Sequence, residues 1–149
     1  MSRGFTSVIW AWDLEDEAKK IDSICAMGEI LTVFALSPIA QKESVSDCVF
    51  CELFFPFTSA YNAILSAEVL IYAPLDFQAS LSEILNILEN LDESESECWN
   101  RNVVDGIGWA KIRTISIQAL IQMEWDSLIS YQEYLDSVRS AKASNIGWV

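Results

Sequence analysis

Cys48 and Cys51, separated by two residues, are the side chains of this sequence whose spacing could support metal or redox chemistry. Cys25 and Cys98 could complete four thiolates, the number that a structural zinc site needs. Sites built only from cysteines usually contain two close pairs, and this sequence contains one. The pair is also surrounded by apolar residues, which favours thiols packed in a core. We therefore expect neither a metal nor another cofactor.

A redox function for this pair would require a thiol with a lowered pKa. A helix N-terminus or a neighbouring cation can lower this pKa, and the nearest basic residue in the sequence is Lys42.

Four cysteines could also form two disulfides in a secreted protein. The N-terminal apolar run from Val8 to Trp12 is too short for a secretory signal, so we expect a cytoplasmic protein with reduced thiols.

Carboxylates are the second group that could do chemistry. The 58 residues between Lys42 and Arg101 contain eleven of them and no basic side chain. So much unpaired negative charge incurs self-repulsion, and it is typical of proteins that gain solubility or attract a cationic partner.

The densest acidic cluster lies between two predicted helices. It could be a solvated turn whose acids complement a helix dipole, or a row of anions that replaces phosphates in a basic channel. Glu89 would share a helix face with Glu93 and Glu97 only if one helix continued through the intervening serines. The cluster consists of Asp92, Glu93, Glu95 and Glu97.

Glu68 is the only charged residue of the apolar segment from Leu53 to Leu75. On a helical wheel it occupies the centre of a face that includes Tyr61 and Tyr72. If this face is buried, Glu68 must be paired or protonated, because an unpaired interior charge is costly. If the face is exposed, Tyr61, Glu68 and Tyr72 belong to a binding surface with aromatic anchors. The sequence leaves both alternatives open.

Helical periodicity runs through most of the chain. It predicts a helix from about Leu14 to about Leu36 and a central helix from Thr58 or Ser59 to Tyr72. Between them, a capping pattern at Ser44 predicts a short helix that carries Cys48 to Phe55 and stops at Pro56. The segment from Phe5 to Trp12 is predicted to be extended or a short strand.

The second half of the chain contains the same kinds of signal, namely helix caps followed by apolar stripes. Ser80 and Glu83 form a predicted capping box ahead of an amphipathic helix, and a similar pattern precedes Trp99. After two glycines, a strong apolar stripe predicts a helix that bends near Asp126, or alternatively one unbroken helix of about thirty residues.

Length and composition set the fold class. A chain of 149 residues that is 52% apolar, with 11% aromatic residues, can bury one substantial core. We expect a single all-α domain over residues 1–149, folded as a compact bundle of five to seven helices.

The apolar segment from Leu53 to Leu75 contains two prolines and a carboxylate and lacks basic anchors, so we expect no membrane span.

The net charge of −13 and the absence of histidine bear on function. Phosphate is repelled, so direct nucleic-acid binding is not expected, and the commonest general base is missing. Small acidic proteins of bacteria and phages, such as toxin-immunity proteins, DNA mimics and counter-defence inhibitors, are similar in charge and size, although no motif is shared.

We therefore expect a non-enzymatic inhibitor that docks an acidic surface on a basic partner protein, such as a nuclease or a nucleic-acid-binding complex. One alternative is a homo-oligomeric scaffold or adaptor, for example a homodimer. The other is a carboxylate-based hydrolase.

Overall fold

The computed structural model describes residues 18–127, and these residues are helical throughout with short connections. The predicted all-α bundle of five to seven helices is confirmed, whereas the extended segment predicted at Phe5 to Trp12 lies outside the described residues. No strand occurs within 18–127. The α-helices are α1 (Ala18–Ala35), α2 (Pro38–Ser44), α3 (Val49–Ser66), α4 (Leu75–Glu89), α5 (Glu93–Ser96) and α6 (Ile107–Gln122). Two 3₁₀ helices, Val69–Tyr72 and Arg101–Asp105, connect them.

Four long helices surround one core. Helix α1 packs against α3 on one side and α6 on the other, and α6 also packs against α4. Phe34 joins these layers, because its ring centroid lies 5.5 Å from that of Phe57 and 6.2 Å from that of Trp109. All three side chains are fully buried. The helix predicted to be central belongs to α3, but within the described residues α1 and α6 are the inner helices.

Helix α3 differs most from its prediction. It continues through Pro56, where the sequence predicts a stop and a new cap at Thr58 or Ser59. An interior proline costs about 3 kcal/mol. Here Pro56 is on the exposed side, while Leu53 and Phe57 are buried on the other, so core packing outweighs that cost.

Helix α4 begins earlier than predicted. Its first residue is Leu75, and Ser80 lies inside the helix rather than at its cap. The Ser80 hydroxyl is buried and donates a hydrogen bond to Gln122 Oε1 of α6 at 2.7 Å. A serine that resembles a cap in the sequence therefore links two helices.

The predicted bend after α6 occurs slightly before Asp126. Helix α6 ends at Gln122, and Glu124 adopts a left-handed φ of 57°. This turn directs Trp125 onto α1, where its indole lies directly over Gly28. A Cβ atom at Gly28 would lie 2.1 Å from Trp125 Cζ3, so any larger residue would force the indole to shift.

Within the described part of the chain, no helix taken singly is long and apolar enough to cross a membrane. Helices α2 and α3 satisfy that criterion only as a pair, and they meet at 84°.

Candidate functional site

The acidic segment does not form one helix face. Helix α4 ends at Glu89, and the single-turn helix α5 begins at Glu93 after a break. Glu89, Glu93 and Glu97 therefore lie on a turn and its flanks, and the condition for a shared helical face is not met. The structure favours a folded acidic turn over a straight row of charges.

Two acids of this turn hold the local fold together. Asp92 is the N-cap of α5, because its Oδ1 accepts hydrogen bonds from the Glu95 N–H and the Ser94 hydroxyl at 3.2 and 2.5 Å. Glu95 Oε2 accepts a hydrogen bond from the Gly108 N–H at 2.9 Å, at the N-terminus of α6. The Glu95 backbone carbonyl also accepts from Trp109 Nε1 at 2.8 Å. Glu95 thus caps the N-terminus of α6, and its predicted role in a partner contact stays a prediction.

Two of the remaining acids of the turn are exposed, and so is the aromatic residue that follows a predicted capping pattern. Glu89 and Glu93 are exposed, and Glu97 is half-buried. Trp99 lies two residues after Glu97 and is 83% exposed. Its position among carboxylates and its two polar neighbours in the sequence, Cys98 and Asn100, could have indicated this exposure.

The predicted patch around Glu68 is not a helix face. Helix α3 ends at Ser66, and Glu68 is an exposed residue with a left-handed φ of 59°. The helical wheel therefore does not apply, and the alternative of a buried Glu68 is wrong. Tyr61 is half-buried, with its ring centroid 6.0 Å from that of Phe57. The side chain of Tyr72 lies outside the described part of the structure.

The Arg113 guanidinium is directed into the fold, where it bonds to three separate segments of the chain. Arg113 Nε donates to the Leu36 carbonyl at 2.8 Å beyond the end of α1, and its Nη2 donates to Gln41 Oε1 at 2.9 Å and to the Val104 carbonyl at 3.2 Å. Burial lowers the pKa of Arg113, and the nearby Asp105 opposes this shift. Lys42 Nζ pairs with Asp105 Oδ2 at 2.9 Å.

Arg101 has a similar structural role at another site. Its guanidinium donates to the backbone carbonyls of Lys42, of Val45 at 2.6 Å and of Asp47 at 3.4 Å. Both arginines of the described segment therefore satisfy main-chain oxygens. Because those oxygens are uncharged, these hydrogen bonds leave the surplus of carboxylates in place.

Three of the four cysteines converge at the start of α3. Cys48 is the N-cap of this helix, and its Sγ accepts from the Cys51 N–H at 3.4 Å. Cys98 approaches from the segment after α5, with its Sγ 3.7 Å from Cys51 Sγ. The three sulfur atoms lie within 4.8 Å of one another, whereas Cys25 is buried in α1. We name Cys48, Cys51 and Cys98 the thiol cluster.

The thiols of the cluster differ in acidity. Burial alone would raise the pKa of Cys48, but hydrogen bonds from the Cys51 N–H and from the two neighbouring thiols outweigh it, so its pKa is lowered. Hydrogen bonding to Cys48 and Cys98 raises the pKa of Cys51 to about 12. A helix N-terminus is one of the two features that can lower a thiol pKa, and the structure places Cys48 at one.

Within residues 18–127, the thiol cluster is the only set of three or more Cys, Asp or Glu side chains whose ligand atoms approach this closely. A carboxylate trio of the kind that binds Mg²⁺ does not occur there. Comparisons of the chain with protein-family models, curated proteins and solved structures find no match.

Proposed function

We propose that this protein is a non-enzymatic inhibitor that places an acidic surface on a basic region of a partner protein, such as a nuclease or a nucleic-acid-binding complex. One observation carries the proposal: Arg101 and Arg113 donate to main-chain carbonyls, so the carboxylates between Lys42 and Arg101 keep their excess charge. Such a field attracts cationic partners and accelerates association.

The acidic surface is defined by the exposed part of the turn after α4. Glu89 and Glu93 supply charge, and Trp99 supplies a large exposed ring at the same turn. Tryptophan is enriched among the residues that dominate binding energy. A basic channel that holds nucleic acid offers cations for the carboxylates and aromatic or apolar surface for the indole. The surface consists of Glu89, Asp92, Glu93, Glu97 and Trp99.

Glu68 supports a second contact on the same partner. It is exposed, and it lies close in sequence to Ile71, which is 71% exposed. The sequence-based prediction also assigns Tyr61 and Tyr72 to this contact.

A pull-down with the immobilised protein tests this proposal. We expect a basic protein to be retained from a bacterial lysate at low ionic strength and released both by salt and by added duplex DNA. Release by salt reports charge contacts, and release by DNA reports that the occupied region is a nucleic-acid channel. If no retained protein shows either response, the proposal is wrong.

Charge-reversal variants then locate the surface. The double substitution Glu89→Lys and Glu93→Lys should abolish retention of that partner. The matched control, Asp22→Lys with Glu29→Lys, changes the net charge equally at two exposed positions of α1 and should retain the partner. Equal loss in both variants would show that net charge alone is responsible. Glu95 is omitted, because its substitution would disturb α6.

A homo-oligomeric adaptor is the second candidate, and one observation favours it. Ile117 and Ile121 lie one turn apart on α6 and are 47% and 73% exposed. Contiguous exposed apolar patches mark interaction sites, and this pair could belong to one. A monomeric mass by light scattering at high protein concentration would exclude this candidate.

A further inference from the structure

The thiol cluster joins two segments that are far apart in the sequence, and packing explains only part of it. Cys48 caps α3 and thereby accounts for its contact with Cys51. Cys98 belongs to another segment, 47 residues from Cys51, and is exposed, so burial of apolar surface does not explain its position. A ligand shared by the three sulfur atoms would account for their convergence.

We propose that Cys48, Cys51 and Cys98 together bind one thiophilic d¹⁰ metal ion, Zn²⁺ or Cu⁺. The inference is independent of the partner-binding function proposed above, because none of the three residues belongs to the acidic surface.

The spacing of the sulfur atoms suits a single ion. Zinc–thiolate bonds of about 2.3 Å in a tetrahedron place neighbouring sulfurs about 3.8 Å apart. Cys51 Sγ and Cys98 Sγ are 3.7 Å apart, and the whole cluster lies within 4.8 Å. An ion could therefore contact all three after small side-chain rotations. A disulfide would join only two and leave the third thiol unused.

The scaffold around the cluster is already assembled. Arg101, three residues after Cys98, ties its segment to the loop before α3 through the carbonyls of Val45 and Asp47. The 18-residue helix α3 directs its N-terminus, with its partial positive charge, at the cluster. This charge favours the thiolate form, which is the form that binds a metal. Ligands held in this way lose little conformational freedom on binding.

The ligand set also restricts the kind of ion. Three soft sulfur ligands select Zn²⁺ or Cu⁺ over the oxygen-preferring Mg²⁺ and Ca²⁺. For Zn²⁺, three protein ligands leave a fourth position for water or an external ligand. Cu⁺ can instead be satisfied by three thiolates.

Titration of the reduced, metal-free full chain under anaerobic conditions tests the proposal. One arm adds Zn²⁺ in competition with a chromophoric chelator, and the other adds Cu⁺ in competition with a copper(I)-specific chelator. We expect one ion per chain in at least one arm and a thiolate-to-metal charge-transfer band when Co²⁺ replaces Zn²⁺. The arm with the tighter binding identifies the ion.

Matched variants make the result specific. Cys98→Ser changes an exposed side chain, and it should weaken metal binding more than about 100-fold. Loss of a residue that only hydrogen-bonds to a metal ligand already lowers metal affinity about 10- to 100-fold. Cys25→Ala removes the cysteine outside the cluster and should leave the affinity unchanged. Circular dichroism confirms that each variant is folded, and added metal should raise the melting temperature of wild type but not of Cys98→Ser.

Three results would overturn the proposal. The first is the absence of stoichiometric binding in both arms. The second is unchanged affinity in folded Cys98→Ser. The third is equal weakening in Cys25→Ala, which would indicate nonspecific binding to thiols.

Discussion

Removal of the Glu95 side chain should destabilise α6, although the sequence presents Glu95 as one of four interchangeable surface acids. Its Oε2 accepts the Gly108 N–H at 2.9 Å, at a helix end where backbone donors lack intrahelical partners. Loss of a capping side chain costs about 0.5 to 2 kcal/mol, and loss of an anion at a helix N-terminus costs about 0.3 to 1 kcal/mol. We therefore expect Glu95→Ala to lower the free energy of unfolding by about 1 to 2 kcal/mol.

Urea unfolding monitored by circular dichroism measures this change, provided that the m-value is constant. For a chain of this length the same loss lowers Tm by about 2 to 8 °C. Glu93→Ala is the matched control, because Glu93 is exposed on the same turn, and it should change stability by less than about 0.5 kcal/mol. Glu95→Gln keeps an acceptor oxygen without the charge and should fall between the two.

Equal stabilities of Glu95→Ala and Glu93→Ala would refute the capping argument. The outcome also bears on recognition, because charge reversal at Glu95 would mix lost partner binding with lost stability. Variants of Glu89 and Glu93 change the charge of the surface and leave the hydrogen bond between Glu95 and Gly108 in place.

The remaining predictions concern packing, hydrogen bonding and thiol reactivity. Gly28→Ala should lower Tm in a thermal melt, because overpacking against Trp125 costs about 1 to 3 kcal/mol and exceeds the gain of about 1 kcal/mol that alanine brings to a helix interior; a raised Tm would contradict the contact. Arg113→Lys should reduce unfolding free energy by about 1 to 3 kcal/mol in urea, because an ammonium group cannot reach all of the acceptors of the guanidinium; an unchanged midpoint would show that these bonds are dispensable. At mildly alkaline pH, iodoacetamide should modify Cys48 before Cys51 in peptide mapping, because the pKa of Cys48 is lowered and that of Cys51 is raised to about 12; modification of Cys51 first would contradict the hydrogen-bond arrangement.

The core-facing stripes could be predicted from the sequence because their periodicity is local. Leu81, Ile84 and Leu88 are spaced for one helix face, and all three are buried in α4. Trp109 and Ile112 are buried in α6 for the same reason. A burial pattern of this kind depends only on the geometry of a helix.

Helix boundaries were less predictable, because tertiary contacts compete with local signals. Pro56 is a strong stop signal, yet α3 continues because its other side is held in the core. Ser80 resembles a cap, but its hydroxyl bonds to a residue 42 positions away. The sequence places Glu68 on a helix face only because it predicts a helix that extends to Tyr72, whereas α3 ends at Ser66.

Composition and periodicity by themselves determined that this chain is helical, has an apolar core and carries a large excess of negative charge, because these properties depend on residue type and near neighbours. Only the tertiary structure decided which charged groups remain available and which thiols meet. Arg113 reaches a carbonyl 77 residues away, and Cys98 meets Cys51 across 47 residues. Contacts over such distances depend on the path of the backbone and on its demand for hydrogen-bond donors, and no local pattern in the sequence encodes either.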